Sequence, residues 1–309
     1  MTVPPVALRM TAVTKRYGSR SALRGLSIEV PRGSITGFIG PNGAGKTTTF
    51  GIVGGLVRPD TGTVDVLGQG AFDPARHAGR VALLPQDAEL PPHAPVRDTL
   101  VYLARLQGHS ARDASREADR VLDLLSLGDR PRSRIGELSH GMRRRVALAQ
   151  CFLGEPELVL LDEPTSGLDP HLVVLVRELL AKQRGKRTLI VSSHVLAELE
   201  SVCDHVIFIE GGQVVRAGAL DAITGREGMV RVRINGDVAL GPLRDALDGA
   251  RVEHDGDELV FYARDAEDTA SLNARVLPLL LAQNVGIVEV RRGLSLERVY
   301  MESRATKSA

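Results

Sequence analysis

Residues Gly40–Thr47 read GPNGAGKT and fit G-x-x-x-x-G-K-[ST] at every position. That spacing is the chemistry of polyphosphate binding. Gly40, Gly43 and Gly45 carry no Cβ, so the backbone can bend tightly and bring its N–H groups close to an anion. Lys46 adds a point charge for the β- and γ-phosphates, and Thr47 offers a hydroxyl to Mg²⁺. A second carboxylate-bearing stretch, LVLLDEPTSGLDP, runs from Leu158 to Pro170. Asp162 ends an apolar run, where a carboxylate beside a phosphate loop can hold Mg²⁺. Glu163 follows at once and could orient or deprotonate an attacking water. Between the two lies ELSHGMRRRVALAQ, Glu137 to Gln150, where Ser139 can cap the next helix and present its hydroxyl to an anion. Each piece has a bland reading: a glycine-rich turn, a strand ending in a charged turn, a capped helix. For the triple Arg143–Arg145 the bland reading, a solvated face or ion-pair surface, is preferred to a phosphate-backbone contact.

The loop needs a strand before it and a helix after it, and the sequence supplies both. Ser34–Ile39 is β-prone, and Thr47–Gly54 can start a helix. Further strands are predicted at 6–13, 26–30, 63–66, 80–84, 158–161, 188–192 and 206–210. LVLLD and TLIVSS are continuously apolar or β-branched, as in strands buried on both faces of a parallel sheet. Helices are predicted at 96–107, 111–125, 141–153, 170–183 and 195–202, so 87–153 reads as an almost wholly helical insert in an α/β core. Near 223–228 the rhythm changes, and β-α-β-β-α-β follows, the split βαβ order of a ferredoxin-like domain. Its pieces are a strand from Met229, a helix at 240–247, strands at 251–254 and 259–264, a helix at 267–283, a strand at 286–291 and a last helix at 295–303. Asn235–Gly236 and Asp255–Gly256 fit turns. The expected domains are 1–224, with the helical subdomain at about 87–153, and 225–309.

Composition narrows the class. The chain has 309 residues, 43% hydrophobic and 25% charged, which is ordinary for a soluble globular protein. A net charge of +1 gives no whole-chain field for nucleic acid or an anionic membrane, and with no Trp and 3% aromatics there is little stacking surface. No nucleic-acid partner is therefore expected. The only lysines are Lys15, Lys46, Lys182, Lys186 and Lys307, so Lys46 stands in its loop against an arginine-rich background. Cys151 and Cys203 lack metal-ligand spacing and read as buried free thiols. No signal peptide is visible, and no apolar stretch reaches about 18 residues, so a membrane role would need another chain.

Taken in order, these motifs resemble the nucleotide-binding subunit of an ATP-binding cassette (ABC) transporter, over about residues 6–222. The resemblance implies a P-loop NTPase core of ABC type with a helical subdomain and an antiparallel β-subdomain. The small α+β ferredoxin-like domain follows it. Leu138–Met142 match the family's LSGGQ, with His140 and Met142 replacing Gly and Gln, while Ser139 and Gly141 are kept. In the family this signature closes over ATP held by a second subunit. By the same resemblance Tyr17 stacks on adenine, and Gly40, Asn42, Gly43, Gly45, Lys46, Thr47 and Thr48 hold the phosphates. Asp169 lies across the dimer interface. Gln86 reaches Mg²⁺ and the water, joining Thr47 and Asp162 as metal residues. Glu163, His194, Lys46 and Gln86 form the catalytic set, with His194 on the γ-phosphate.

The implied activity is ATP hydrolysis with Mg²⁺, by a dimer of identical ATPase subunits docked near Gln86 on a separate transmembrane permease. The chain would then sit peripherally on the cytoplasmic face of the membrane. Gly293–Ser303, GLSLERVYMES, resembles the terminal motif of exporters of drugs, antibiotics and polysaccharides. The rival classes are a soluble ABC ATPase of DNA repair or translation, and a nucleotide-regulated subunit that does not turn over. The chain lacks the coiled-coil inserts, zinc-binding cysteine pairs and second cassette of the first rival, and an intact Glu163 argues against the second.

Overall fold

The structure is a computed structural model that describes residues 5–226, 228–247, 251–263 and 269–308. The chain forms two compact units, residues 1–217 and 218–309.

The first unit is built on two sheets. Strands β1 (Val6–Tyr17), β2 (Arg20–Pro31) and β4 (Thr61–Val66) make an antiparallel sheet in the order β2-β1-β4. The second sheet has six strands in the order β5-β6-β7-β3-β8-β9. These are β3 (Ile35–Ile39), β5 (Val81–Leu84), β6 (Leu158–Asp162), β7 (Thr188–Ser192), β8 (His205–Glu210) and β9 (Gln213–Ala219). The five strands β5, β6, β7, β3 and β8 run parallel. Every residue of β3, β6 and β7 is buried, so their unbroken apolar runs are the mark of strands covered on both faces. The register aligns Phe38 with Ser192 and Ser192 with Asp162, which brings the ends of three strands to one edge. Open parallel sheets bind ligands at that carboxyl edge.

Helix α1 (Lys46–Val53) leaves β3 through the glycine loop. Phe38 before the loop and Phe50 after it are both buried, with ring centroids 5.7 Å apart. Both join one core with Leu8, Leu23, Ile190 and Ile207. The loop is thus pinned at each end by packing. The short helix α2 (Pro74–His77) starts at a proline, with Asp73 as its cap. Helices α3 (Val96–Leu106), α4 (Ala111–Leu124) and α5 (His140–Gln150) stand between β5 and β6. On α4, Ala114, Ala118, Val121 and Leu122 make one buried stripe at helical spacing. α6 (Pro170–Ala181) and α7 (Leu196–Val202) complete this unit.

The helical insert is shorter than the sequence suggests. Residues 87–95 are non-helical apart from the turn around Pro92–His93, and Pro91, Pro92 and Pro95 explain it by restricting the backbone. Strand β9 and helix α2 were not predicted, and α1 begins at Lys46, one residue before the expected start.

The second unit opens with α8 (Leu220–Thr224), then β10 (Met229–Asn235), α9 (Leu240–Ala246), β11 (Val252–Asp255), β12 (Glu258–Tyr262), α10 (Thr269–Ala282), β13 (Gly286–Arg292) and α11 (Leu296–Ser308). Its antiparallel sheet has the order β11-β12-β10-β13. Val230, Val232, Leu259 and Phe261 pack with Leu272, Val276 and Leu280 of α10 in a separate core. The predicted strand end at Arg264 and the helix start at 267–268 lie outside the described residues.

Candidate functional site

The glycine loop begins where β3 ends. At Gly40 a Cβ would collide with the Ile209 carbonyl, so only glycine lets the chain pass the neighbouring strand. Gly45 caps α1 with φ 112°, a left-handed conformation that L side chains rarely adopt. Lys46 lies over the loop, its Nζ donating to the Gly40 carbonyl at 2.7 Å and the Pro41 carbonyl at 3.3 Å. Burial lowers the Lys46 pKa from the ordinary lysine value, while Glu163 and Asp162 act in the opposite sense.

The carboxylates come from the end of β6. Asp162 is 1% exposed and accepts two hydroxyl bonds, from Thr47 Oγ1 at 2.8 Å and from Ser192 Oγ at 2.5 Å. Glu163 donates its backbone N–H to the same Ser192 Oγ at 2.9 Å. Thr47, Asp162, Ser192 and Glu163 therefore form one ordered relay across three elements. Glu163 has φ 49°, a conformation that non-glycine residues hold only where the surroundings over-determine it, and such residues cluster at functional sites. His194, largely exposed, places Nδ1 3.4 Å from Glu163 Oε2.

These groups open on a cleft of about 490 Å³ lined by Tyr17, Arg20, Ala22, Asn42, Gly43, Gly45, Lys46, Thr47, Thr48, Gln86 and Glu163. Of the residues singled out in the sequence, Tyr17, the loop residues beyond Gly40, Gln86 and Glu163 are thus brought together. Tyr17 is half exposed. A flat ring, a cation, a glycine-rich loop and a carboxylate lining one cleft suit a nucleoside triphosphate. Thr47 and Asp162 are hard oxygen donors of the kind Mg²⁺ takes.

Six sequence candidates are not among its lining residues: Gly40, Asp162 and His194, whose contacts are given above, and Ser139, Gly141 and Asp169. Ser139 caps α5, accepting from the Met142 N–H at 3.3 Å. Gly141 lies in the first turn of α5, where a Cβ would stand 3.2 Å from Leu172 Cδ1. Asp169 caps α6, accepting from the Leu172 N–H at 3.1 Å. In one chain these last three are structural caps and packing.

Three contributors escaped the sequence reading. Ser192 carried no signature beyond ending an apolar strand. Arg20 pairs with Tyr17 across the β1–β2 hairpin, and its Nη2 stands 2.6 Å from where a Cβ of Gly43 would be. The third corrects the surface reading for Arg144, while Arg143 is exposed. Arg144 is 8% exposed and, among the described residues, bonded only to backbone carbonyls. Arg143 and Arg145 likewise donate to carbonyls, of Leu138 and of Leu125 and Ser126.

The ABC transporter family profile matches residues 23–166. A Nod factor export ATP-binding protein I of Burkholderia orbicola is 37% identical over 310 residues, covering 97% of each chain. Among solved structures, the ATP-binding subunit of an ABC transporter is 29% identical with TM-score 0.64, covering 71% of this chain and 92% of its own. The cbiO1 protein of Clostridium perfringens, part of the transporter complex cbiONQ, is 25% identical with TM-score 0.64 and covers 72% and 91%.

Proposed function

We propose, from the premise that this chain belongs to the ABC transporter family of ATP-binding proteins, a two-subunit ATPase cycle that drives export. The chain is the ATP-binding, ATP-hydrolysing subunit of such a transporter. Among the described residues no helix is long and apolar enough to cross a membrane, so the translocation path falls to a separate permease chain. We place this chain peripherally on the cytoplasmic face, where ATP is. Export is the direction in the name of the Burkholderia relative, and we adopt it here. The first unit, residues 1–217, carries the ATPase, and the second unit, 218–309 rather than the expected 225–309, forms an accessory domain.

Tyr17 receives the adenine, and the amides of Gly43 and Gly45 with Lys46 receive the phosphates. Lys46 Nζ exchanges its bonds to the loop carbonyls for phosphate oxygens. Thr47, Asp162 and Gln86 would hold Mg²⁺, which neutralises charge developing on the phosphates. Glu163 accepts a proton from the attacking water as its oxygen bonds to the γ-phosphorus. The bond from that phosphorus to the ADP oxygen breaks, and ADP and phosphate leave. His194, on the exposed side of Glu163, braces the γ-phosphate. Ser139, Gly141 and Asp169 act on the nucleotide of a second, identical copy, which explains why none lines the cleft of its own chain. ATP then favours the closed pair and hydrolysis releases it. The groove beside Gln86, about 570 Å³ and lined also by Leu90, Pro92, Ile135 and His140, suits a short helix of the permease.

The observation that carries this reading is the Glu163 carboxylate facing the Lys46 loop from a backbone locked by Ser192. Glu163→Gln keeps the shape and removes the base. It is expected to lower ATP turnover by about 10²-fold or more, within the range general-base catalysis supplies, and to accumulate an ATP-bound dimer in size-exclusion chromatography. Turnover at the parental rate would overturn the reading.

A further inference from the structure

Arg144 is an arginine in a place that an apolar side chain would fill at lower cost. It sits on α5 among Val146, Ala147 and Leu148, all buried. Its own exposure is 8%, and among the described residues it forms no ion pair. Burial holds its pKa below the usual arginine value, against the pull of Asp162 and Glu163. Taking an unpaired guanidinium out of water is expensive unless its donors are satisfied. Here the two ends of the guanidinium are satisfied by two different segments. Nη1 donates to the Gln86 carbonyl at 2.9 Å, with the Pro85 carbonyl at 3.5 Å. Nη2 donates to the carbonyls of Asp162 at 2.9 Å and Glu163 at 2.7 Å. Among the described residues its Nε has no acceptor.

The consequence falls on Glu163. Its N–H is held by Ser192 Oγ, and the carbonyls on both sides of its Cα are held by Arg144 Nη2. Both peptide planes flanking the left-handed Cα are thus fixed, and its strained conformation is kept by these bonds. The other end of the same guanidinium holds the backbone of Gln86, which lines both the nucleotide cleft and the groove beside it.

We propose that Arg144 is a positioning residue that holds Glu163 in its reactive conformation and ties that conformation to the Gln86 backbone. A displacement of Gln86 by nucleotide or by an occupant of the groove is then transmitted to Glu163 through one rigid planar group. The proposal rests on Glu163 being the residue that takes the proton of the attacking water. Arginine is required because its two terminal nitrogens reach both segments at once, and the single ammonium of lysine does not.

The test uses the full chain and compares parent, Arg144→Lys, Arg144→Met and Glu163→Gln in steady-state ATPase kinetics, equilibrium ATP binding and thermal unfolding. Arg144→Lys is expected to lower kcat by about 10–10²-fold, the scale of a misplaced reacting group, with ATP affinity within about threefold of parent. A kcat within about twofold of parent, or equal losses in kcat and affinity, overturns the proposal. If the lysine variant fails to fold, Arg144→Met is judged by the same split, and failure of both to fold overturns the proposal by making Arg144 structural. Glu163→Gln separates the two claims. If it still turns over, the reading of Glu163 has failed; if it is inactive while Arg144→Lys is not, only the clamp has failed.

Discussion

Ser192 accepts from one site residue and donates to another, and no solvent reaches it. Removing its hydroxyl leaves the Glu163 N–H without an acceptor and takes one donor from Asp162. Both groups are buried, so neither recovers a bond from water. Ser192→Ala is therefore expected to cost about 1–3 kcal/mol of stability, the usual penalty of an orphaned buried polar group, measured as a shift in the denaturant midpoint. A shift under about 0.5 kcal/mol, typical of a plain surface change, would mean the relay does not hold Glu163. The same hydroxyl shows why part of the site was hidden in the sequence. Lys46, Asp162 and Glu163 stand in motifs whose order is visible, whereas Ser192 acts only because β6 and β7 align it with Asp162.

At the scale of elements, legibility followed burial pattern. β3, β6 and β7 were readable because covered strands are continuously apolar. β9 escaped because QVVRAGA is half exposed and ends in small residues. Helix α5 was readable as a helix, but periodicity does not say which of three consecutive arginines turns inward, and α5 turns in Arg144. Two helix ends carry a pH dependence of their own. Cys151 closes α5 and Cys203 closes α7, and both are buried. Burial pushes the Cys151 thiol up from its ordinary value of 9.0 to about 12, and pushes Cys203 up as well. A thiol whose folded pKa is raised contributes stability in full below the unfolded value, and loses it as pH rises from there toward the folded value. Stability is therefore expected to fall as pH rises above 9.0, and Cys151→Ala should flatten that fall. Denaturant titrations across the range check this, and parallel curves for parent and variant would contradict it.

For the whole molecule, the decisive fact is a division of labour within the first unit. Tyr17, Lys46, Thr47, Gln86 and Glu163 share one cleft, while Ser139 and Gly141 are absent from it. A second copy, related by a two-fold axis, would supply the missing signature to each cleft. The family order of motifs is what leads to the expectation of this pairing; the chain's own contacts give Ser139 the role of a cap. The direct measurement is complementation between two inactive variants. Lys46→Ala damages the loop and Ser139→Ala the signature, and each alone is expected to lack ATP turnover. In a mixed pair, one site joins the intact loop of one chain to the intact signature of the other. Random pairing then restores about a quarter of the parental ATPase rate, one working site in the half of pairs that are mixed. If the mixture is as inactive as each variant alone, the site is not shared between two subunits and the account is wrong.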